Sequence, residues 1–246
     1  MNTGVVRSRY NKADLDKAVR EYREQALPAI SAHQGGRSAM LLVNRETGES
    51  LSIGFYENEA AARSFAPKAD RLFDTFQKYS ATKEKPTREL YEVVASTQQE
   101  SKAVVERLIK AINAHDLEAA ARETAPDSVL TAPGDMTLKG PQPIKEYNKN
   151  WITAFPDAKI EVKRIFAMGK DVAIDAIFSG THNGILKTPM GDVPATGRKV
   201  NGEFLEVFEV DRGLVKNAHL MFDQVQLMTQ LGMAPTPAPQ AVKTAR

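Results

Sequence analysis

The chain has 246 residues, 42% hydrophobic and 26% charged, which is the composition of an ordinary globular protein. Lysine and arginine total 33 against 31 acidic residues without long runs of either sign, which argues against a nucleic-acid partner, and the lack of cysteine excludes disulfides and thiol nucleophiles. No window approaches the ~20 apolar residues of a membrane span. The start MNTGVVRSRY lacks the apolar stretch of a signal peptide, so we expect a cytoplasmic protein without a membrane partner.

The first part of the chain alternates between strand and helix patterns. Period-two runs rich in β-branched residues predict strands, and apolar residues at helical spacing predict helices. Pro67 is expected to kink or split the second helix. The predicted elements are strand 4–10, helix 12–33, strands 38–45 and 49–57, helix 59–79 and strand 88–96. This βαββαβ order predicts a ferredoxin-like domain over residues 1–96, with two helices on one face of a four-stranded antiparallel sheet.

The other face of that predicted sheet has no cover within the domain. A half-apolar sheet face is unfavourable in water, and a second copy of the same face would cover it. We therefore expect a homodimer formed through the first domain.

A second domain is predicted over residues 97–233. Thr97 and Glu100 have the spacing of a capping box, so a helix should begin there and the domain boundary should lie near Ser96. The domain has three predicted helices in all, with a strand over residues 127–133 between the second and the third. Four long strands follow, which predicts an α+β cone with one curved antiparallel sheet. Residues 234–246 contain three prolines and read as a flexible Pro/Ala-rich tail.

Several short segments of this second domain are characteristic in combination. They are Phe155-Pro156-Asp157, Gly180-Thr181-His182-Asn183-Gly184, Thr196-Gly197-Arg198, Asp211-Arg212-Gly213-Leu214-Val215, and Asp223 followed by Gln230-Leu231-Gly232. In this order and spacing, residues 99–233 resemble the SnoaL-like polyketide (ester) cyclases of the nuclear-transport-factor-two-like superfamily. The resemblance implies a cone that opens at one end around an apolar small molecule.

The first domain is similar to the antibiotic-biosynthesis-monooxygenase group of dimeric α+β barrels. The similarity lies in the element order and in the segment LSIGFYENEAAARS. Those families often have a tryptophan after the third strand and a histidine in the second helix, where this chain has Tyr56 and Ser64 or Phe65. This departure argues against oxygenase chemistry.

Asp223 is the candidate catalytic residue. Period-two alternation places His219, Met221 and Asp223 on one side of the last strand, and all three would enter the cavity if that side is concave. A carboxyl on an apolar wall has a raised pKa and can exchange protons near neutrality. In the cyclases that the chain resembles, the matching aspartate takes a proton from a carbon flanked by carbonyls and delivers one to the acceptor carbonyl. The alternative is that Asp223 caps the helix that follows.

The candidate substrate-binding residues are two histidines and three aromatic residues. His219 could orient Asp223 or bind a substrate oxygen, and His182 lies between glycines that could bring its ring to the cavity mouth. Tyr147 and Trp151 share one face of the third helix, and Phe204 could approach from the opposite wall; for all three, core packing is the alternative.

The sequence shows no sign of a metal or cofactor site. His33, His115, His182 and His219 are far apart, and no glycine-rich phosphate loop follows a strand. The chain is therefore expected to be a cofactor-free acid/base enzyme of the cyclase type, acting on an apolar, carbonyl-rich small molecule. A non-catalytic binding protein for such a molecule is the first alternative, and monooxygenase activity in the first domain is the second.

Overall fold

The computed structural model describes residues 1–82, 85–188 and 191–233. The chain divides into two compact units, Met1–Val94 and Ala95–Arg246. The predicted tail over 234–246 lies outside the described residues. In the described ranges, each helix is too short or too polar to cross a bilayer.

The first unit has one four-stranded sheet and two interrupted helical segments. Its elements are β1 (Asn2–Arg9), α1 (Leu15–Glu21), α2 (Leu27–Ser31), β2 (Gly36–Val43), β3 (Glu49–Tyr56), α3 (Glu59–Ser64), α4 (Ala66–Phe76) and β4 (Arg88–Glu92). A π-helical turn, Tyr22–Ala26, joins α1 to α2, which contains Pro28 in its first turn. The break between α3 and α4 falls beside Pro67, as the sequence predicts, because proline lacks the N–H that a continuous helix needs.

The strands of this unit pair antiparallel in the order β2-β3-β1-β4. Aromatic side chains fill the space between the helices and one face of the sheet. Tyr10, Tyr22, Tyr56, Phe65 and Phe76 are all buried there. The opposite face leaves Met40, Leu42 and Tyr91 almost half exposed.

The second unit has a six-stranded sheet, a two-stranded ribbon and four helices among its described residues. Its elements are α5 (Thr97–Asn113), α6 (Leu117–Arg122), β5 (Thr124–Ala132), β6 (Met136–Lys139), α7 (Pro141–Ala154), β7 (Lys159–Met168), β8 (Asp171–Thr181), β9 (Leu186–Thr188), β10 (Gly191–Val193), β11 (Lys199–Asp211), β12 (Leu214–Phe222) and α8 (Gln224–Gln230). The ribbon pairs β9 with β10.

The large sheet has the order β6-β5-β12-β11-β8-β7. The sequence predicts a wholly antiparallel sheet. This is wrong for one pair of strands, because β5 pairs parallel with β12. The sequence pattern identifies strands but does not tell which strands become neighbours. Register shifts at Val162/Arg164 and at Glu209/Val210 mark bulges, which bend a sheet and increase its twist.

The start of α5 differs by one residue from the expected capping box. The cap is Ser96, whose extended backbone lets its hydroxyl accept a hydrogen bond from the Gln99 N–H at 3.2 Å. Ser96 Oγ and Gln99 Oε1 are also 3.2 Å apart. A Ser-x-x-Gln pair therefore takes the place expected for Thr97 and Glu100.

The core of the second unit lies between α5 and the concave face of the sheet. Val104, Val105 and Leu108 of α5 pack against alternate residues of the central strands. On β8 these are Val172, Ile174 and Ala176, and on β11 they are Phe204 and Phe208. A second apolar cluster joins the end of α7, around Phe155, to the end of α8.

Candidate functional site

The second unit contains a cavity between α5, α7 and the concave face of the sheet. Its volume is about 150 Å³, whereas a single water needs about 10–15 Å³ on the same measure, so it can hold a small organic molecule. Trp151 forms edge-to-face contacts with Phe178 and Phe222, at ring-centroid distances of 5.3 and 5.8 Å. Phe204 is buried and lines the same cavity. The wall is mostly aromatic and aliphatic.

Glu206 stands in the middle of this apolar wall. Its neighbours across the sheet are Ile174 on β8 and Leu220 on β12, and Phe204 and Phe208 flank it along β11 on the same face. Glu206 is half-buried and lines the cavity. Burial raises the pKa of Glu206 to about 8, because apolar surroundings disfavour the ionised form. Glu206 is therefore mostly a neutral acid at neutral pH.

Tyr147 reaches the cavity from α7. Burial raises the pKa of its phenol to about 12; hydrogen bonding with Trp151 opposes this rise and the charge of Glu206 adds to it. Tyr147 and Glu206 line the same cavity. Tyr147 stays a neutral hydroxyl at physiological pH.

Asp223 lies where β12 ends and α8 begins, at the exposed end of the cavity lining. Its Oδ1 accepts a hydrogen bond from the Gln226 N–H at 2.9 Å, so Asp223 is the N-cap of α8. The capping alternative is thus observed, and the same side chain also borders the cavity. Capping engages one oxygen, so it does not exclude a role for the carboxyl in the cavity.

The expected orientation of His219 and Met221 is wrong. Ala218, Leu220 and Phe222 of β12 face the cavity, so the intervening residues His219 and Met221 lie on the opposite face of the sheet. His219 Nδ1 is 2.6 Å from the Thr131 hydroxyl. Asp223 is an even number of residues from His219 and Met221, so strict alternation would place it on their face of the sheet. It borders the cavity instead because β12 ends at Phe222 and the alternation ends with it. Substrate binding by His219 stays a prediction, from a residue outside this cavity.

His182 is fully buried outside the cavity lining. The Thr196 N–H donates to His182 Nδ1 at 3.3 Å, and the Thr196 hydroxyl oxygen lies 3.1 Å from the same nitrogen. Nε2 has no hydrogen-bond partner among the described residues. Burial lowers the pKa of His182. Its expected position at the cavity mouth is not observed, and its role in substrate binding stays a prediction.

The segments around His182 hold the end of α7 against β8. Asp157 accepts hydrogen bonds from the Thr181 N–H at 2.6 Å and from the Thr181 hydroxyl at 2.7 Å. The N–H groups of Asn183 and Gly184 both donate to the Ala154 carbonyl at 3.0 Å. A Cβ at Gly184 would lie 2.1 Å from the Thr153 carbonyl oxygen, so only glycine permits this approach. These contacts fix the helix that carries Tyr147 and Trp151.

Of the predicted site residues, the structure brings Tyr147, Trp151, Phe204 and Asp223 to the cavity. Glu206 joins them and was missed by the sequence reasoning. The signal was present: in Phe204-x-Glu206-x-Phe208 the glutamate has the parity of the buried aromatic residues. No cluster of His, Cys, Asp or Glu that could hold a metal ion is found within the described ranges.

The fold of the second unit is also found in other solved structures. A candidate SnoaL-like polyketide cyclase of Jannaschia sp. CCS1 superposes with a TM-score of 0.52 at 17% identity, and the match covers 59% of this chain and all of that one. The second unit therefore has a nuclear-transport-factor-two-like fold.

The sequence profile of the SnoaL-like polyketide cyclases matches residues 102–231, more than half of the 246 residues. The chain belongs to this family. A comparison with curated protein sequences finds no match.

Two further solved structures are similar to the chain at 27% identity. AclR of Streptomyces galilaeus, a candidate hydroxylase, has a TM-score of 0.49, with 56% of this chain and 99% of that one covered. IdmH of Streptomyces antibioticus, a candidate polyketide cyclase, has a TM-score of 0.47, with 54% of this chain and 98% of that one covered.

Proposed function

We propose that the protein is a cofactor-free acid/base enzyme of the polyketide-cyclase type, acting on an apolar, carbonyl-rich small molecule. The observation that carries the proposal is the cavity of the second unit, an aromatic enclosure with carboxyl groups at two levels, Glu206 in the wall and Asp223 at the exposed end. A carboxyl beside an apolar space that holds the substrate can serve as a general acid or base. Membership of the cyclase family agrees with this chemistry.

The reaction needs two proton movements and no external oxidant. In the proposed mechanism, the Asp223 carboxylate takes a proton from a carbon between two carbonyls and an enolate forms. The enolate carbon attacks a second carbonyl of the same molecule and a carbon–carbon bond closes. The carbonyl oxygen then takes up a proton, so the product is an isomer of the substrate.

The Asp223→Asn variant tests this proposal. Asparagine also caps helices well, so α8 should remain while the proton acceptor is lost. With ethyl benzoylacetate in deuterium oxide, NMR follows exchange of the hydrogen between the two carbonyls. We expect a rate at least 100-fold lower than that of the wild type, within the usual range for a general base.

Asp116→Asn is the matched control. Asp116 caps α6 by accepting from the Ala119 N–H at 2.8 Å, so it has the same local role outside the cavity lining. This variant should exchange at the wild-type rate. If Asp223→Asn does so too, Asp223 is a cap without a catalytic role.

A binding protein without catalysis is the second candidate, favoured by the cap hydrogen bond that already engages Asp223. It predicts that wild-type protein binds aromatic ketones and exchanges no deuterium above the buffer rate. Trp151 is the sole tryptophan of the chain and lines the cavity, so its fluorescence measures binding independently of turnover.

For the first unit we propose a ferredoxin-like domain that forms a homodimer. The strand order β2-β3-β1-β4 with two helical segments supports the first part of this proposal. The outer sheet face supports the second, because Met40 on β2 lies beside Ile53 on β3, which lies beside Val5 on β1. A second copy of the face would remove this apolar row from water.

A further inference from the structure

Glu206 is the polar group that the proposed base chemistry leaves without a role. Its side chain projects from the concave face of β11 into the cavity, level with Leu220 of the next strand. Asp223 follows three residues after Leu220, so the two carboxyl-bearing residues are separated by about 10 Å along the sheet at about 3.3 Å per residue. A ligand that fills the cavity can contact both.

The Glu206 carboxyl has no hydrogen-bond or ion-pair partner in the part of the chain that the structure describes. Ile174, Leu220, Phe204 and Phe208 surround it on the sheet, and none of them can stabilise a charge. An unpaired carboxylate in such surroundings is unfavourable, so the group keeps its proton. A protonated carboxyl differs from a carboxylate in one essential property, because it can donate a hydrogen bond.

We propose that the cavity binds an uncharged ketone or ester whose carbonyl oxygen accepts a hydrogen bond from the protonated carboxyl of Glu206. The inference rests on the proposed function in one respect, namely that this cavity is the ligand site. In the enolate chemistry this hydrogen bond polarises the carbonyl that is attacked, and the Glu206 carboxyl donates its proton to the oxygen of that carbonyl. Asp223 serves as the base. An anionic ligand oxygen could not occupy this position once Glu206 ionises.

The other titratable groups that line the cavity are few. Tyr147 lines the cavity from α7, and its phenol remains neutral because its pKa is raised to about 12. Asp223, Glu203 and Lys159 are exposed residues of the lining. From α5, the cavity receives Leu108, Ile112 and Asn113. Variants of Glu206 and of Asp223, tested separately, therefore show which of the two carboxyl groups causes a change in ligand affinity around pH 8.

The test compares two probes of nearly equal shape, 2-acetylnaphthalene and 2-ethylnaphthalene, which differ by a carbonyl oxygen. Their dissociation constants are measured by Trp151 fluorescence at pH 6 and pH 9, and the ratio of ketone to hydrocarbon affinity is compared between proteins. At pH 6 the wild-type ratio should exceed that of Glu206→Leu by about tenfold, the contribution of one buried hydrogen bond. At pH 9 the wild-type ratio should fall to the Glu206→Leu value.

Three further variants make the result specific. Glu206→Gln should keep its ketone preference at both pH values, because its amide donates a hydrogen bond and does not titrate. Glu209→Gln should behave as the wild type, because Glu209 lies on the same strand, outside the cavity lining, and binds Asn217. Asp223→Asn should also keep the pH dependence.

The inference is overturned if Glu206→Leu keeps the ketone preference, if the wild-type ratio is the same at both pH values, or if neither probe binds. A different result would contradict the catalytic proposal alone. Wild-type protein that shows the pH-dependent ketone preference and yet exchanges no deuterium from ethyl benzoylacetate has the Glu206 hydrogen bond without the enzyme activity.

Discussion

Each unit contains a sheet with helices against one face. The two units differ in how much space the side chains leave between the helices and the sheet. In the first unit, tyrosine and phenylalanine side chains leave a cavity of about 40 Å³ between the helices and the sheet. In the second unit the corresponding space has about 150 Å³ and a carboxyl group in its wall. Between the helices and the sheet, the first unit is filled and the second is hollow.

The bending of the sheet, more than the composition of the layers, makes room for a ligand. The second unit has longer central strands, 13 residues in β11 and 11 in β8, with two bulges at their neighbours. The first unit has strands of at most 8 residues. A long bent sheet cannot follow a straight helix along its whole length, so side chains leave a gap at one end.

The largest predicted effect comes from filling the hollow unit. Ala218 lines the cavity between Phe208 and Leu130 of the adjacent strands. Ala218→Phe should lower the affinity for 2-acetylnaphthalene by more than 100-fold, measured by Trp151 fluorescence, because the new ring occupies the ligand space. Its unfolding free energy should change by less than about 1 kcal/mol.

The matching substitution in the filled unit should have the opposite profile. Ala62 of α3 is completely buried. Ala62→Phe should lower the unfolding free energy by about 3 kcal/mol in urea titration, because no space exists for the ring, and should leave the affinity for 2-acetylnaphthalene unchanged. Equal destabilisation by the two variants would contradict the contrast between a hollow and a filled unit.

The next effect concerns the buried acid of the hollow unit. The folded-state pKa of Glu206, about 8, lies above the usual 4.5, so the folded state holds its proton more tightly than the unfolded chain does. Stability should therefore decrease as pH rises from 4.5 to 8, by about 2 kcal/mol once partial hydration of the cavity is allowed for. Urea titrations at pH 5, 7 and 9 should show this loss in the wild type and not in Glu206→Gln.

A third prediction concerns the outer face of the filled unit. Leu42 is 48% exposed on this face. Leu42→Lys should weaken the proposed homodimer at least tenfold in sedimentation velocity, because an unpaired ammonium would be buried between the copies. Val94→Lys is the control, since Val94 is 84% exposed and lies outside the sheet. A wild-type protein that sediments as a monomer at all concentrations would refute the dimer.

The smallest effect should come from His182. Its folded-state pKa is lowered by burial, so the unfolded chain binds the proton more readily and stability should fall as pH decreases through the ordinary histidine pKa of 6.5. His182→Phe keeps a ring against Phe155, whose centroid is 5.0 Å away, and removes the titration. Between pH 7 and 5, the urea midpoint should drop in the wild type and stay level in the variant. A parallel drop in both would assign the acid sensitivity to other groups.

Local sequence determined most of the elements and part of the cavity wall. Helical spacing places Tyr147 and Trp151 on one face of α7, and both line the cavity. The predicted strands 38–45 and 49–57 correspond to β2 and β3, and the four long strands predicted for the second domain correspond to β7, β8, β11 and β12. The short strands β6, β9 and β10 were not predicted, because strands of 3 or 4 residues are too short to show a period. Motif order was enough to indicate the cyclase family, since it depends on spacing along the chain alone.

The positions of the Glu206 and Asp223 carboxyl groups relative to the cavity depend on the tertiary structure. Alternation places the residues of β12 on two faces of the sheet, but the sequence does not show which face is concave. The prediction that placed His219 and Met221 with Asp223 on the concave face is wrong. Glu206 is polar in the sequence and acquires its raised pKa from Ile174 and Leu220, which are brought beside it by strand pairing across 32 and 14 positions of the chain. A pKa depends on the surroundings in space, and those surroundings exist once the strands are in register.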